Sequence, residues 1–232
     1  MVDVIIPILN EGTILDKKKE YYQRLGCKAN LMFVDGGSTD RSPEIARRYG
    51  TVIRSLPGRS IQKNCGAGKT QSPYLLFLHV DAFIPIQVLN DIEQVCRGGA
   101  IGGCLTMRIE DRKPLFRVYE QIVTMRAKVF GIIDGDLGMF VRRDVFERLG
   151  GFDRVSVMED ILFAKKLVAI GKINVLRHVI RVSSRKWDEQ GFIKTFFEYT
   201  RAYIKLWRGP LVVSPKTAFL KCSSRDSVTS YE

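Results

Sequence analysis

The residues of this chain best placed for chemistry are carboxylates that stand where apolar runs stop. The run Leu31 to Val34 ends in Asp35, then Gly36, Gly37, Ser38, Thr39 and Asp40. Asp35 is an acceptor-only group and could take a ring N–H of a base or the hydroxyls of a ribose, or it and Asp40 could only cap a turn. A second run, Val4 to Leu9, apolar apart from Pro7, leads into Asn10, Glu11 and Gly12. A third, Tyr74 to Leu78, leads into His79, Val80 and Asp81. Further on, Glu159 and Asp160 precede ILFAKKLVAIG, where a carboxylate near a helix start is favoured by exposed N–H groups and the helix dipole whether it does chemistry or only caps. Asp134 and Asp136 flank Gly135 just before another apolar stretch.

These positions imply the elements that must hold them. An uninterrupted β-prone run such as Leu31 to Val34 fits a strand buried on both faces, as in a parallel sheet. Ser42 and Pro43 read as an N-cap and a first helical position, so Asp35 is expected at the carboxyl end of a strand, where open α/β sheets place ligands. A charged helical segment from Leu15 to Leu25, ending at Gly26, joins the first two strands, and a basic loop and helix with Arg59, Lys63 and Lys69 precede the third. Three strand ends then converge on one cleft. Ile161, Leu162, Leu167, Val168 and Ile170 predict a late helix packed on the sheet. The stretch GAGKT is not a phosphate-binding P-loop: the position five before Gly68 is Lys63 instead of glycine, and the apolar strand follows the motif instead of preceding it.

In order and spacing, PILNEG (Pro7 to Gly12), VDGGSTD (Val34 to Asp40), GRSIQKNCGAG (Gly58 to Gly68), FLHVDAFIP (Phe77 to Pro85) and GGFDRVSVMEDILFAKKL (Gly150 to Leu167) resemble the inverting family 2 glycosyltransferases of GT-A fold. The subgroup most resembled is the small stand-alone bacterial type with GR…QxNxGA, FLHAD, a G-D pair, MED and a late R-R-W. The resemblance runs from Val4 to about Trp187 and implies an α/β, Rossmann-like, mostly parallel sheet flanked by helices. It further implies transfer of a sugar from a UDP- or GDP-sugar to an acceptor hydroxyl. Pro7, Asn10, Glu11, Asp35 and Gly36, with Arg59 and Lys63 or Asn64, are the implied nucleotide pocket. Asp81 is the implied ligand of a divalent metal, magnesium or manganese, with His79 as a second ligand or an orienting neighbour; only one acid of the usual D-x-D is present. Asp160 is the implied general base, Glu159 the other member of the catalytic pair, orienting Asp160 or the acceptor, and Asp136 (matching the G-D pair) an acceptor or donor-sugar contact. In SSRKW, Trp187 would stack on a sugar face and Arg185 meet phosphate, while Lys186 stands where the subgroup's second arginine does.

Composition agrees with one catalytic domain over 1–187, with a nucleotide-binding half over about 1–85 and an acceptor half over about 86–187. At 232 residues and 45% hydrophobic content the chain can bury a sizeable core. Lys+Arg 37 against Asp+Glu 25 gives +12, which suits an anionic donor, or an anionic lipid surface. No recognition helix, RNA-binding strand signature or zinc-finger spacing speaks for a nucleic-acid partner. Five scattered cysteines without a C-x-x-C pair read as reduced thiols of a cytoplasmic protein. No secretory leader and no run long enough to span a membrane is read from the sequence.

Residues 188–222 form an expected helical extension and 223–232 a disordered tail. Within Gly191 to Gly209, Phe192, Phe196, Thr200 and Ile204 make one stripe with Ile193, Phe197, Tyr203 and Trp207 beside it, opposite Lys194, Glu198, Arg201, Lys205 and Arg208. Packing on the domain or on a second subunit, in a homodimer, is favoured over lying peripherally in a bilayer interface, which would point to a lipid-linked acceptor. Two other function classes stand beside the transferase: a sugar-1-phosphate nucleotidyltransferase, expected to open with a G-x-G-T-R-like loop that PILNEG does not supply, and a basic non-enzymatic lipid- or nucleic-acid-binding module.

Overall fold

Residues 1–155 and 157–183 are described by a computed structural model. Along the chain they form β1 (Val2–Ile8), α1 (Gly12–Lys17), α2 (Lys19–Gly26), β2 (Asn30–Asp35), α3 (Ser42–Ala46), β3 (Thr51–Arg54), α4 (Arg59–Gly68), β4 (Tyr74–Phe77), α5 (Val88–Arg97), β5 (Gly102–Ile109), α6 (Pro114–Phe130), a 3-10 turn (Gly135–Leu137), β6 (Met139–Arg142), α7 (Arg143–Arg148), α8 (Glu159–Ile170) and β7 (Ile173–Val182). Arg185, Lys186, Trp187, the 188–222 extension and the 223–232 tail lie outside the described residues.

The strands make one seven-stranded sheet in the order β3-β2-β1-β4-β6-β5-β7. Pairing is parallel except at β6, which runs antiparallel to both β4 and β5. The mixed, mostly parallel sheet is the one expected. Residues 4–6 of β1 and 31–34 of β2 are buried, as strands covered by helices on both faces require. Pro7 is tolerated in a central strand because its missing N–H falls on the β4 side, beyond the last β1–β4 pair, Ile5 with Phe77. In β7 the register against β5 slips between Leu105 and Thr106, and the Thr106 hydroxyl faces the carbonyls of Arg177 (3.0 Å) and His178 (2.9 Å) at the irregularity.

Three local expectations are corrected. The segment Leu15 to Leu25 is two helices, broken at Lys18, whose ammonium reaches across to the main-chain carbonyls of Asp81 and Ala82. Ser42 is the first residue of α3 instead of its N-cap; its hydroxyl accepts from Glu11 N (2.7 Å) and bonds Asp40. In α8 the core-facing residues are Phe163, Ala164 and Leu167, while Val168 and Ile170 are exposed. Phe163 belongs to an aromatic cluster with Phe77, Phe146 and Phe152, ring centroids 4.8 to 5.5 Å apart, which fills the space between α7, α8 and the sheet.

A polar lock closes the opposite edge of the sheet from the strand ends above. Asp3, buried at the start of β1, accepts from Ser72 N (2.7 Å), Asn30 Nδ2 (2.9 Å) and Arg143 Nη2 (3.1 Å). Arg143 also donates to the carbonyls of Ala67 (2.8 Å) and Ser72 (2.7 Å), tying α7 to the exit of α4. Removing one partner of such a pair leaves the other charge poorly solvated, so Asp3→Ala should cost about 3 kcal/mol, read as a fall in denaturant midpoint at unchanged slope.

Candidate active site

The parallel strands β1, β2 and β4 end at one edge of the sheet, and the loops that follow carry most of the polar residues picked out by sequence. Asp35 is the last residue of β2 and 1% exposed. Its Oδ1 accepts from Ser38 N (3.0 Å), and its Oδ2 is a buried oxygen without a hydrogen-bond partner among the described residues. A carboxylate with one oxygen engaged and one open suits a ligand N–H or hydroxyl. Asn10, at φ 56°, bridges the loops: its N–H donates to Ser38 Oγ (2.9 Å) and its Oδ1 accepts from Thr39 N (2.8 Å). Gly12 N donates to Asp40 Oδ2 (3.0 Å). Asp40 is therefore a structural acid, as a turn reading expects. Gly36 donates its N–H to Ile8 O (3.0 Å), and a Cβ there would come within 3.1 Å of the Gln62 amide.

Gln62 was missed by sequence reasoning. From α4 its Nε2 donates to the carbonyls of Ile8 (3.0 Å) and Val34 (2.7 Å), clamping the ends of β1 and β2. The signal is its place in GRSIQKN, the motif that also supplies Lys63 and Asn64, and like Lys63 it is buried on α4.

Lys63 and Asn64, expected in the nucleotide pocket, are engaged elsewhere. Asn64 pairs with both backbone groups of Phe152, donating to its O (2.8 Å) and accepting from its N (2.9 Å), and so fixes the turn before α8. Lys63 is 2% exposed; its Nζ lies 2.9 Å from Glu159 Oε1, 2.6 Å from Asp160 Oδ1 and 5.0 Å from the Phe152 ring centroid. Of the predicted cationic lining only Arg59 remains exposed, at the start of α4, where its charge acts on His79, Glu159 and Asp160.

Glu159 and Asp160 open α8, following Met158 in a left-handed conformation (φ 65°). Both are buried and near each other's charge, so a shared cation is what allows them to ionise. Burial acts to raise the Glu159 carboxyl, but the Lys63 ammonium outweighs it and holds Glu159 below its usual range. Burial raises Asp160 to about 6 despite the pull of Lys63, with the Glu159 charge adding to the rise. Asp160 is thus the more basic member.

The second oxygen of Asp160 faces Gly135. A Cβ on Gly135 would lie 2.4 Å from Asp160 Oδ2 and 2.7 Å from His79 Nε2, so only a glycine lets both side chains approach the main chain here. Asp136 follows, its Oδ1 3.9 Å from His79 Nε2. Burial depresses the His79 imidazole to about 4, against the pull of Asp136, leaving it neutral at pH 7. The 3-10 turn is anchored from α6 by an ion pair between Arg126 and Asp134. Because β6 is antiparallel, the loop before it lies at the same sheet edge as the loops after β1, β2 and β4, and this is how Asp136 joins the site. Asp81 lies in the turn after β4, where its charge acts on both Lys18 and His79.

Along this edge of the sheet stand Asp35 with its open oxygen, the neutral His79 imidazole with Asp81 and Asp136 in the neighbouring loops, and the buried Glu159–Asp160 pair. The sequence profile of glycosyl transferase family 2 matches residues 3–150. The chain belongs to that family. Its match ends before Glu159, so the acid pair rests on the geometry above. The fold is of GT-A type. It is similar to that of TarS from S. aureus in complex with UDP-GlcNAc (TM-score 0.61, 16% identity, 78% of this chain and 58% of that one). It is also similar to a mannosyltransferase from Pyrobaculum calidifontis in complex with GDP-Man and Mn2+ (TM-score 0.64, 20% identity, 86% and 64%). A third similar structure is glucosyl-3-phosphoglycerate synthase from Mycobacterium tuberculosis with Mn2+, UDP and phosphoglyceric acid (TM-score 0.55, 15% identity, 79% and 69%). The chain therefore spans 58% of the matched TarS chain and 64% of the mannosyltransferase. No curated protein matches it in sequence. Family membership favours the transferase reading over the nucleotidyltransferase and the non-enzymatic module.

One consequence is testable at Gly135. Gly135→Ala should leave the fold intact, because the clash is with side-chain tips and not backbone, yet displace Asp160 or His79. A loss of about 100-fold in kcat with an unchanged melting curve is expected, in line with the cost of misplacing a reacting group by about 1 Å.

Proposed function

We propose that this glycosyltransferase moves a sugar from a nucleoside-diphosphate donor to an acceptor hydroxyl with inversion, Asp160 serving as the general base. The observation that carries the proposal is the asymmetric placement of Asp160: Oδ1 is held by Lys63, and Oδ2 is turned to Gly135 beside His79. A base fixed by one oxygen presents the other in a defined direction, and burial brings its pKa near working pH, where general-base catalysis is most effective. Glu159 is the orienting acid that keeps the Lys63 ammonium in place. Attack by the deprotonating hydroxyl from the Asp160 side, with the nucleotide leaving from the opposite face, gives inversion.

On the donor side, Asp35 would take the base or ribose through Oδ2, with Pro7, Asn10, Glu11 and Gly36 shaping the pocket and Arg59 meeting phosphate. Among the described residues no three His, Cys, Asp or Glu side chains are grouped to hold a metal ion. His79 and Asp136, 3.9 Å apart, with Asp81 in the turn after β4, are the residues that would hold a divalent cation, the donor's phosphates supplying the oxygen ligands the protein lacks. When bound, such a cation supplies charge neutralisation to the departing diphosphate.

The four described cysteines, Cys27, Cys65, Cys96 and Cys104, are free thiols, which supports a reducing, cytoplasmic setting. Among the described residues no helix is long and apolar enough to cross a membrane. An acceptor presented at a membrane's cytoplasmic face is compatible with the +12 charge.

Calorimetric titration with UDP and with GDP, each with and without Mn2+, tests the donor side. One nucleotide should bind, more tightly with Mn2+, and Asp81→Asn should weaken the metal-dependent part at least about tenfold, a loss of about 1.4 kcal/mol. Absence of binding by either nucleotide would defeat the proposal.

A further inference from the structure

The turn that carries Asp81 is gripped from the start of α2. After β4 the chain runs through His79, Val80, Asp81 and Ala82, and Phe83 then exchanges both main-chain hydrogen bonds with Arg181 of β7 (2.8 Å each). Ala82 N donates to His79 O (3.0 Å), which closes the turn. The other three carbonyls are taken by side chains. Val80 O accepts from the Tyr22 hydroxyl (2.6 Å), Asp81 O from the Lys18 ammonium, and Ala82 O from the same ammonium at 3.4 Å. One residue beyond Phe83, Ile84 N donates to the Tyr21 hydroxyl (3.1 Å), and the Tyr21 and Phe83 rings pack with centroids 4.4 Å apart. Tyr21 and Tyr22 are three and four residues from Lys18, so the three side chains share one side of the first turn of α2.

In the run Lys17-Lys18-Lys19 the outer two residues are exposed and Lys18 is half-buried. Taking an ammonium out of water to meet two neutral carbonyls is unfavourable. Burial holds Lys18 below its ordinary range, against the pull of Asp81 and Glu110. What the arrangement secures is direction. With the carbonyls of residues 80, 81 and 82 each held, the Asp81 carboxylate has only its own side-chain torsions left to set where it points. Asp81 is the one acid of its turn, so an error in its aim has no neighbouring carboxylate to absorb it.

We propose that Lys18, together with Tyr22, is a positioning residue for the donor: by holding the main chain of the turn it aims the Asp81 carboxylate at the divalent cation that accompanies the diphosphate. The inference rests on the function proposed above, in which Asp81 helps to hold that cation. Lys18 acts through the carbonyls of the turn and touches neither donor nor acceptor.

The test reads Mn2+ binding instead of turnover. Free Mn2+ is followed by its paramagnetic resonance signal in the presence of whichever of UDP or GDP the wild-type protein binds, and nucleotide affinity is measured separately in EDTA. Lys18→Met should lose about tenfold or more in Mn2+ affinity, the usual effect of removing a group that orients a metal ligand. Its nucleotide affinity in EDTA and its circular dichroism should stay as in the wild type. Lys18→Arg, whose guanidinium has donors for both carbonyls, should restore most of the loss, and Lys17→Met should show none. Tyr22→Phe removes only the hydroxyl at Val80 O and should weaken Mn2+ binding in the same direction; it decides the matter if Lys18→Met does not fold. Wild-type Mn2+ affinity in both Lys18→Met and Tyr22→Phe overturns the inference. So do equal losses of nucleotide affinity with and without metal, which mark a clamp that serves stability alone. Tighter Mn2+ binding by Lys18→Met also overturns it, by making the ammonium a competing charge. If the wild-type protein itself binds no Mn2+ in the presence of nucleotide, the function proposed above fails first, and this inference with it.

Discussion

Asp160→Asn should lower kcat by about 10^3-fold or more while leaving nucleotide affinity within about twofold, as expected when a general base is removed and the donor pocket is untouched. The near-isosteric amide keeps contact with Lys63 but cannot accept the acceptor's proton. The wild-type enzyme should show an acid limb in kcat/KM centred near the Asp160 value of about 6, activity rising with pH as the carboxyl ionises. In the variant that limb should vanish and the residual rate become flat across the same range. A variant that retains the limb would place the base elsewhere. Product-anomer analysis by NMR on the wild-type enzyme checks inversion separately, and retention would overturn the direct-displacement reading.

The second large effect is expected at Lys63. Its ammonium is the only cation within hydrogen-bond reach of the buried Glu159–Asp160 pair among the described residues. Lys63→Met fills similar volume but leaves two adjacent acids without compensation, so the fold should lose about 3 kcal/mol near neutral pH. The sign of the pH dependence follows from Asp160. Its folded pKa is already above the usual carboxyl value, and removing Lys63 removes the contribution that lowers it, so it should rise further. An acid with a raised folded pKa favours the folded state while protonated and disfavours it as pH rises through that value. The variant should therefore be closest to wild type near pH 5 and furthest from it above pH 7, with the acid limb of its activity displaced upward. Urea titrations at both pH values, with a pH–rate profile, read both shifts; equal destabilisation at the two values would show that Lys63 acts by packing alone.

Much of the donor half was legible because its signals are local. The apolar runs before Asn10, Asp35 and His79 each end within a residue or two of the strand, and Asp35 and Asp160 stand at a strand end and a helix start as expected. What escaped depends on partners far apart in sequence. Lys63 sits 96 positions from Glu159, and nothing in GRSIQKN distinguishes an ammonium aimed at phosphate from one buried against two acids. The break at Lys18 depends on carbonyls 63 and 64 residues away. Ser42 looks like a cap locally, yet its hydroxyl serves a loop 31 residues earlier. Gly135 reads as half of a G-D pair; that its missing side chain makes room for Asp160 and His79 is visible only in three dimensions.

The cross-links between the first two loops bear on how a donor is met. Asn10 with Ser38 and Thr39, Glu11 with Ser42 and Gly12 with Asp40 join two surface loops through side-chain to backbone bonds, the commonest place for a protein to keep residual motion. Here those bonds restrain it. The nucleoside end should accordingly behave as a stiff socket: amides of residues 10, 11, 12, 39 and 42 should exchange with solvent slowly for loop positions, and change little when nucleotide arrives. Adaptation to different acceptors would then fall to the other half of the cleft, so that one socket can serve a lineage of enzymes that differ in what they glycosylate.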